Sequence, residues 1–172
     1  DYSATDSIPF DILNQRLYLY GNAELTYGTI NLKAAYITID FNKNELYARG
    51  MADSTGTIQG KPVFQDGDQN FESQEMRYNF ETKKGRTTKV FTEEAEGYMH
   101  GNTVKMMENK EIHIQSGKFT TCDNPNPHFH IGFQRAKLIP NDKIITSIAF
   151  LTIEGVRTPL FLPFGFFPNK QG

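Results

Sequence analysis

Apolar and polar residues alternate with a period of two along most of this chain, and apolar residues hardly ever recur at helical spacing. Successive side chains of a β-strand point to opposite faces, so the pattern confines the chain to half-buried strands. The residue types agree, because β-branched and aromatic side chains, which fit a pleated surface, fill the apolar positions. The first strand is expected over Arg16–Tyr20, closed by Gly21–Asn22. Ala23–Tyr27 follows, with Ala23, Leu25 and Tyr27 on one face, then Ile30–Lys33 and Tyr36–Phe41, where Ile37, Ile39 and Phe41 share a face. A polar turn at Asn42–Asn44 leads to Leu46–Arg49 and Gly50.

The middle of the chain repeats this grammar. Glu75–Phe80 sets Met76, Tyr78 and Phe80 on one face ahead of the turn Glu81–Arg86. ITIDFNKNELYARG and MRYNFETKKGRTTK are the same unit at an offset of about 39 residues: strand, aromatic, polar turn around lysine, strand. Tyr98–His100, Thr103–Met106 and Glu111–Gln115 continue the series. Between Gly50 and Gln74 the alternation weakens, leaving a short strand around Pro62–Phe64 in a loop where no site is expected. Many short strands without intervening helices mean a sandwich, a jelly roll or a β-solenoid-like stack.

At 172 residues the chain is long enough for one domain with a sizeable core. A net charge of −2 without a basic run offers no footprint for nucleic acid. Lys83, Lys84 and Arg86 read as a solvated hairpin tip. The opening DYSATDSIPF is not a targeting segment. The single cysteine, Cys122, is either a free thiol or the partner of a cysteine elsewhere.

The end is the most apolar part. Ile144–Ile153 carries no charge, and aromatics punctuated by Pro159, Pro163 and Pro168 follow. Glu154, Arg157 and the prolines exclude a transmembrane helix there. Lys143–Ile153 is expected to be one last strand, apolar on both faces because it is covered on both. Thr158–Pro168 does not alternate cleanly and is not expected to be core. The domain assignment is therefore a β-domain over residues 1–157 and an apolar linker over 158–172.

One cluster has a chemical look. Cys122, Asp123, His128 and His130 fall within nine residues, with His113 on the preceding strand. An H-x-H pair on a strand projects both imidazoles to one side and can ligate a transition metal, as in the small cupin jelly rolls. Cupins carry a Glu about four residues later and a Gly before the first His. Gln134 and Cys122 stand in those places, so neither metal catalysis nor a metal site is expected. No nucleophile elbow, phosphate-cradling glycine loop or paired-carboxylate motif appears, and Glu93, Glu94 and Glu96 read as a solvated edge. Nothing local supports an enzyme or a cofactor. Binding fits better: the apolar faces are core if two sheets close, or an apolar slot if they splay.

Several stretches resemble a known family. GNAELTYGTINLKAAYITIDFNKNELYARG (Gly21–Gly50) and MRYNFETKKGRTTKVFTEEAEGYMHG (Met76–Gly101) resemble the repeat of OstA-like domains. TTCDNPNPHFHI and AKLIPNDKIITSIAFLTIEGVRTPLFLPFGFFPN look like the region before the outer-membrane barrel in LptD-type lipopolysaccharide-assembly proteins, in the Bacteroidetes style. The resemblance covers nearly the whole chain, and its C-terminal block is the most specific part.

The resemblance implies an all-β, OstA-like β-jelly roll, a twisted and partly open antiparallel sandwich at the periplasmic face of the outer membrane. Such a domain receives lipopolysaccharide from LptA-like periplasmic jelly rolls joined through edge strands. It passes the lipid A acyl chains through an apolar groove to a C-terminal barrel with an LptE-like plug lipoprotein. A soluble LptA-like bridge is the nearest alternative and a cupin-type enzyme the more distant one. Following one alternation phase per strand, the groove candidates are Leu25, Tyr27, Leu32, Ile37, Ile39, Phe41, Met76, Tyr78, Phe80, Val104, Met106, Ile112, Ile114, Phe129, Ile131 and Phe133. A bulge in any strand flips its phase. Phe161, Phe164, Phe166 and Phe167 are the expected membrane- or barrel-proximal residues, and the region near Ile12–Tyr20 the expected receiving edge. The family's disulfide is not carried over, because Cys122 sits in a different context.

Overall fold

A computed structural model describes residues 1–168 apart from 68, 95, 96, 125 and 141, and leaves undescribed the side chains at 69, 94, 167 and 168. The chain divides into two compact units, Asp1–Thr88 and Lys89–Gly172. The expected division at 157/158 falls within a strand.

The first unit holds β1 (Tyr2–Ser3), β2 (Phe10–Asp11), β3 (Arg16–Tyr27), β4 (Ile30–Asp40), β5 (Glu45–Arg49), β6 (Met51–Ala52), β7 (Ile58–Gln59), β8 (Val63–Asp66), β9 (Gln69–Glu72) and β10 (Glu75–Asn79). The boundary between the units falls inside β11 (Lys84–Glu94). The two strands expected at 16–20 and 23–27 are one. Gly21 and Asn22, both at positive φ, stand together against Ala35, so β3 bulges there and resumes its register with β4.

That bulge divides the sheet. Ile30–Lys33 of β4 pairs with β8, whereas Tyr36–Asp40 pairs with β5, which in turn pairs with β10. The buried positions on β4 change phase at the joint, from Leu32 and Ala34 to Ile37 and Ile39. Ala35, left between the two halves, donates its N–H to the carbonyl of Gly60 at 2.7 Å. The repeat seen in the sequence is a pair of neighbouring hairpins, β4–β5 and β10–β11, whose turns place Asn44 and Lys83 at φ near +50°. The stretch where alternation weakens is more ordered than expected: β8 and β9 form a hairpin with Phe64 stacked on Phe71 at 5.0 Å. Strands this short bury too little for a readable period: β8 buries only Phe64, and Phe71 of β9 is half-buried.

The second unit holds the end of β11 with β12 (Gly97–Met106), β13 (Ile112–Thr120), β14 (Phe129–Ile139), β15 (Lys143–Thr146), β16 (Ala149–Ile153), β17 (Val156–Leu162) and β18 (Gly165–Pro168). The same device recurs. Phe129–Phe133 of β14 pairs with β16, and Ala136–Ile139 pairs with β15. At the joint, Arg135 donates its N–H to Ser147 Oγ at 3.0 Å, and its carbonyl accepts from the Ser147 N–H at 2.9 Å. The single strand expected over Lys143–Ile153 is therefore two, broken at Ser147–Ile148 so that each can follow its half of β14. Nor is it covered on both faces, since Ile148 and Ile153 are exposed. Ser147→Ala should remove one side-chain acceptor from the joint and cost about 0.5–1.5 kcal/mol in denaturant unfolding. An unchanged midpoint would show that water replaces the hydroxyl fully.

The edge of β3 near Ile12–Tyr20 is not free. Thr5, Asp6 and Ser7 donate to the carbonyls of Gly21 and Tyr20, and Tyr18 and Tyr20 donate to Pro9 and Ser7, with β1 and β2 paired at either end. Residues 1–11 thus cover the edge that the sequence assigned to a partner, because they satisfy its amides locally.

Candidate functional site

Each unit gathers its apolar side chains on one side. In the first, Leu17, Leu19, Ile37, Ile39, Leu46, Ala48 and Met76 pack with Ala23, Leu25, Leu32, Ala34 and Phe64, so both halves of the divided sheet feed one cluster. Ile30, Phe71, Tyr78 and Phe80 are partly buried against it. Tyr27, 67% exposed, rests edge-on against Phe80 at 5.9 Å, and Phe80 against Tyr78 at 5.4 Å. These three rings form an accessible aromatic rim beside a closed core. Phe41 lies elsewhere, in the β4–β5 turn, half exposed and edge-on to Phe10.

The second unit is less closed. Among the described residues its cluster has four buried members, Ile114, Phe133, Ala136 and Ala149, against twelve in the first unit, with Met99, Val104 and Ile112 partly buried beside them. Met106 is half-buried, and Phe129 and Ile131 are about two-fifths exposed. Ile114 and Phe133 meet although simple alternation puts them on opposite faces: Ile114 pairs with Ala136 and Phe133 with Gly117. Ser116, at φ 54, lies between Ile114 and Gly117 and carries the change of phase. Phe161, Phe164 and Phe166 are exposed. The side chain of Phe167 lies outside the described residues.

The histidine cluster does not assemble a metal site. His130 lies on β14, but His128 precedes the strand, and among the described residues no three His, Cys, Asp or Glu side chains converge to hold an ion. His128 Nδ1 instead lies 3.8 Å from Cys122 Sγ. The Asn124 backbone N–H, and then His128, hold the thiol below its ordinary pKa, while Cys122 and then Glu154 raise that of His128.

A second feature escaped the sequence. The registers align His100 with Lys118, Lys118 with Gly132 and Gly132 with Phe150 on one face, opposite the one that carries Phe133 and Ala149 into the core. A hollow of about 440 Å³ opens there, with His130 and Arg157 also on its wall. Burial, then the charges of Lys118 and His130, push the His100 imidazole below its usual pKa, and burial and Lys118 do the same to His130. No local sequence signal could reveal this, because its residues come from five strands.

With the geometry established, comparison with known proteins decides the family. Residues 4–116 match the family described as LptA/(LptD N-terminal domain) LPS transport protein. The chain belongs to that family. Residues 144–172 match the family described as LptD protein, so this is an OstA-like domain of the LptD type, a periplasmic lipopolysaccharide-transport domain. No curated protein matches the chain. Among solved structures it is similar to LptH, the LptA-homologous periplasmic component of the lipopolysaccharide transport device of Pseudomonas aeruginosa. That similarity has 12% identity and a TM-score of 0.49, over 81% of this chain and 93% of LptH.

Proposed function

We propose that this OstA-like domain carries lipopolysaccharide by holding its acyl chains against the apolar sides of its two units while the sugars stay in solvent. The observation that carries the reading is the graded burial on those sides: a closed cluster bordered by half-exposed rings and aliphatics, with no acid, base or nucleophile among them. Transfer of a lipid needs no such group. It needs apolar surface, and each buried CH₂ of an acyl chain is worth about 0.8 kcal/mol. The contacts to cargo are Tyr27, Tyr78 and Phe80 in the first unit and Val104, Ile112, Phe129 and Ile131 in the second.

The LptD-type match at residues 144–172 supports the finer assignments we propose. Residues 158–172, with Phe161, Phe164 and Phe166 exposed, form the approach to an outer-membrane barrel and its LptE-like plug. LptA-like jelly rolls dock by strand addition. With β3 covered, the receiving edge is the free side of residues 1–11 or the strand exposed when they are displaced.

A photo-reactive residue at Phe80 or Ile131 should label lipopolysaccharide in membranes where transport runs. The same probe at Tyr47, which alternates with buried Leu46 and Ala48 and so points to the other side, should not. Absence of labelling at Phe80 and Ile131, or equal labelling at Tyr47, sinks the reading.

A further inference from the structure

We propose that the hollow on the outer face of the second unit binds a phosphomonoester-type oxyanion, held by Lys118 and Arg157 with His100 and His130 as further donors. Assignment of that anion to the headgroup of the transported glycolipid rests on the transport reading above; the anion site itself does not. Four elements deliver the four groups: His100 from β12, Lys118 from β13, His130 from β14 and Arg157 from β17. The wall contributed by β16, Phe150 and Thr152, is uncharged, and no carboxylate among the described residues lines the hollow.

Two features separate this from a chance gathering of surface cations, the buried nitrogen of His100 and the placement of Arg157. The Nε2 atom of His100 is buried without a hydrogen-bond partner, and a buried nitrogen in that condition costs about 1–3 kcal/mol unless something satisfies it. Lys118 and Arg157, like most Lys and Arg side chains among the described residues, have no ion-pair partner, so both charges are available to an anion. Arg157 is also pre-positioned, its guanidinium 4.2 Å from the centre of the Phe150 ring, which leaves the planar edge free to meet two oxygens. Burial, then the charges of Lys118 and His130, depress the His100 imidazole, and burial, then Lys118, depresses that of His130; a bound dianion relieves the like-charge part. Gly132 lies on the floor between His130 and Gln134, and a Cβ there would stand in ordinary contact with the His130 ring at 3.5 Å and 3.7 Å, so the glycine leaves that volume beside the imidazole open.

The test uses the purified chain, with imidazole resonances of His100 and His130 followed by NMR during titration with inorganic phosphate. Saturable shifts are expected, together with a rise in both imidazole pKa values. Lys118→Gln and Arg157→Gln should each weaken phosphate about tenfold, the worth of one charge-assisted contact. An unchanged amide spectrum in the first unit would verify folding. Short-chain phosphatidic acid in detergent micelles should compete with phosphate, and the matching diacylglycerol should not. Competition by phosphatidic acid assigns the site to a lipid headgroup; competition by glucose 1-phosphate alone assigns it to a soluble sugar phosphate. Shifts that never saturate, or binding indifferent to both substitutions, overturn the proposal. Because inorganic phosphate has no chains, that failure would leave the labelling of lipid at Phe80 and Ile131 untouched, and failure of the labelling would leave this site standing.

Discussion

Ile37→Ala should destabilise the first unit by about 2–5 kcal/mol, the range for removing a large aliphatic side chain from a closed core. Ile37 has no solvent exposure, and its cross-strand neighbours Leu19 and Ala48 have none either. A cavity beneath Ile37 is therefore walled by groups already held by their own strands and cannot collapse cheaply. Against a typical stability of about 5–15 kcal/mol for a whole domain, the loss is large. Thr38→Ala, one residue on and facing the other way, is the comparison. It deletes a hydroxyl that donates to the Leu17 carbonyl at 3.1 Å and should cost about 1 kcal/mol. Denaturant unfolding of both variants without lipid measures the contrast. Equal losses would mean that Ile37 is not sealed.

The contrast also sorts the apolar side functionally. Leu25, Leu32, Ile37, Ile39 and Met76 share a cluster with almost no exposure, so their first task is to hold the two halves of the divided sheet together. Tyr78, Phe80, Phe129 and Ile131 keep part of their surface accessible, and in the proposed transport role they would exchange neighbours for acyl chains without opening the core. On this reading truncation at Ile37 lowers stability, whereas truncation at Ile131 lowers lipid labelling with little loss of stability.

Alternation made the strands and their apolar faces legible, because buried residues such as Leu25, Leu32 and Ile39 stand between polar neighbours. The resemblance in Gly21–Gly50 and in the C-terminal block pointed to the right family. The joints were not legible. Asn22 and Ser116 adopt positive φ without being glycine, and a strand that changes partners at Ala35 or Arg135 looks in sequence like any other strand. Hence β3 read as two strands, β15 and β16 as one, and the edge of β3 as open. The basic hollow was invisible for a related reason: His100, Lys118 and Arg157 meet through register, which no local pattern encodes. Only His130 stood out beforehand, and it did so for a metal chemistry that its neighbours do not support.

Gly60→Ala should cost about 2–4 kcal/mol and locate the tightest point of the first joint. Gly60 sits at φ +58, where an L-residue loses about 1–2 kcal/mol. A Cβ would also lie 2.7 Å from the Cβ of Ala35 and about 3 Å from its backbone N and Cα. None of these atoms is the end of a flexible side chain, so relief requires moving the backbone and stretching the 2.7 Å bond from Ala35 N–H to the Gly60 carbonyl. Overpacking of that kind adds about 1–3 kcal/mol, and the smaller entropy of the unfolded alanine chain returns only about 0.4–1 kcal/mol. Gly28→Ala supplies the control. Its φ is +62 with nothing within 4 Å of the added carbon, so it carries the backbone strain without the collision. Thermal or denaturant unfolding of the two variants should separate them by about the overpacking cost alone. If they lose stability equally, the loop at Gly60 gives way freely, and β4 is steered between β8 and β5 by the bulge at Gly21–Asn22 without help from the loop.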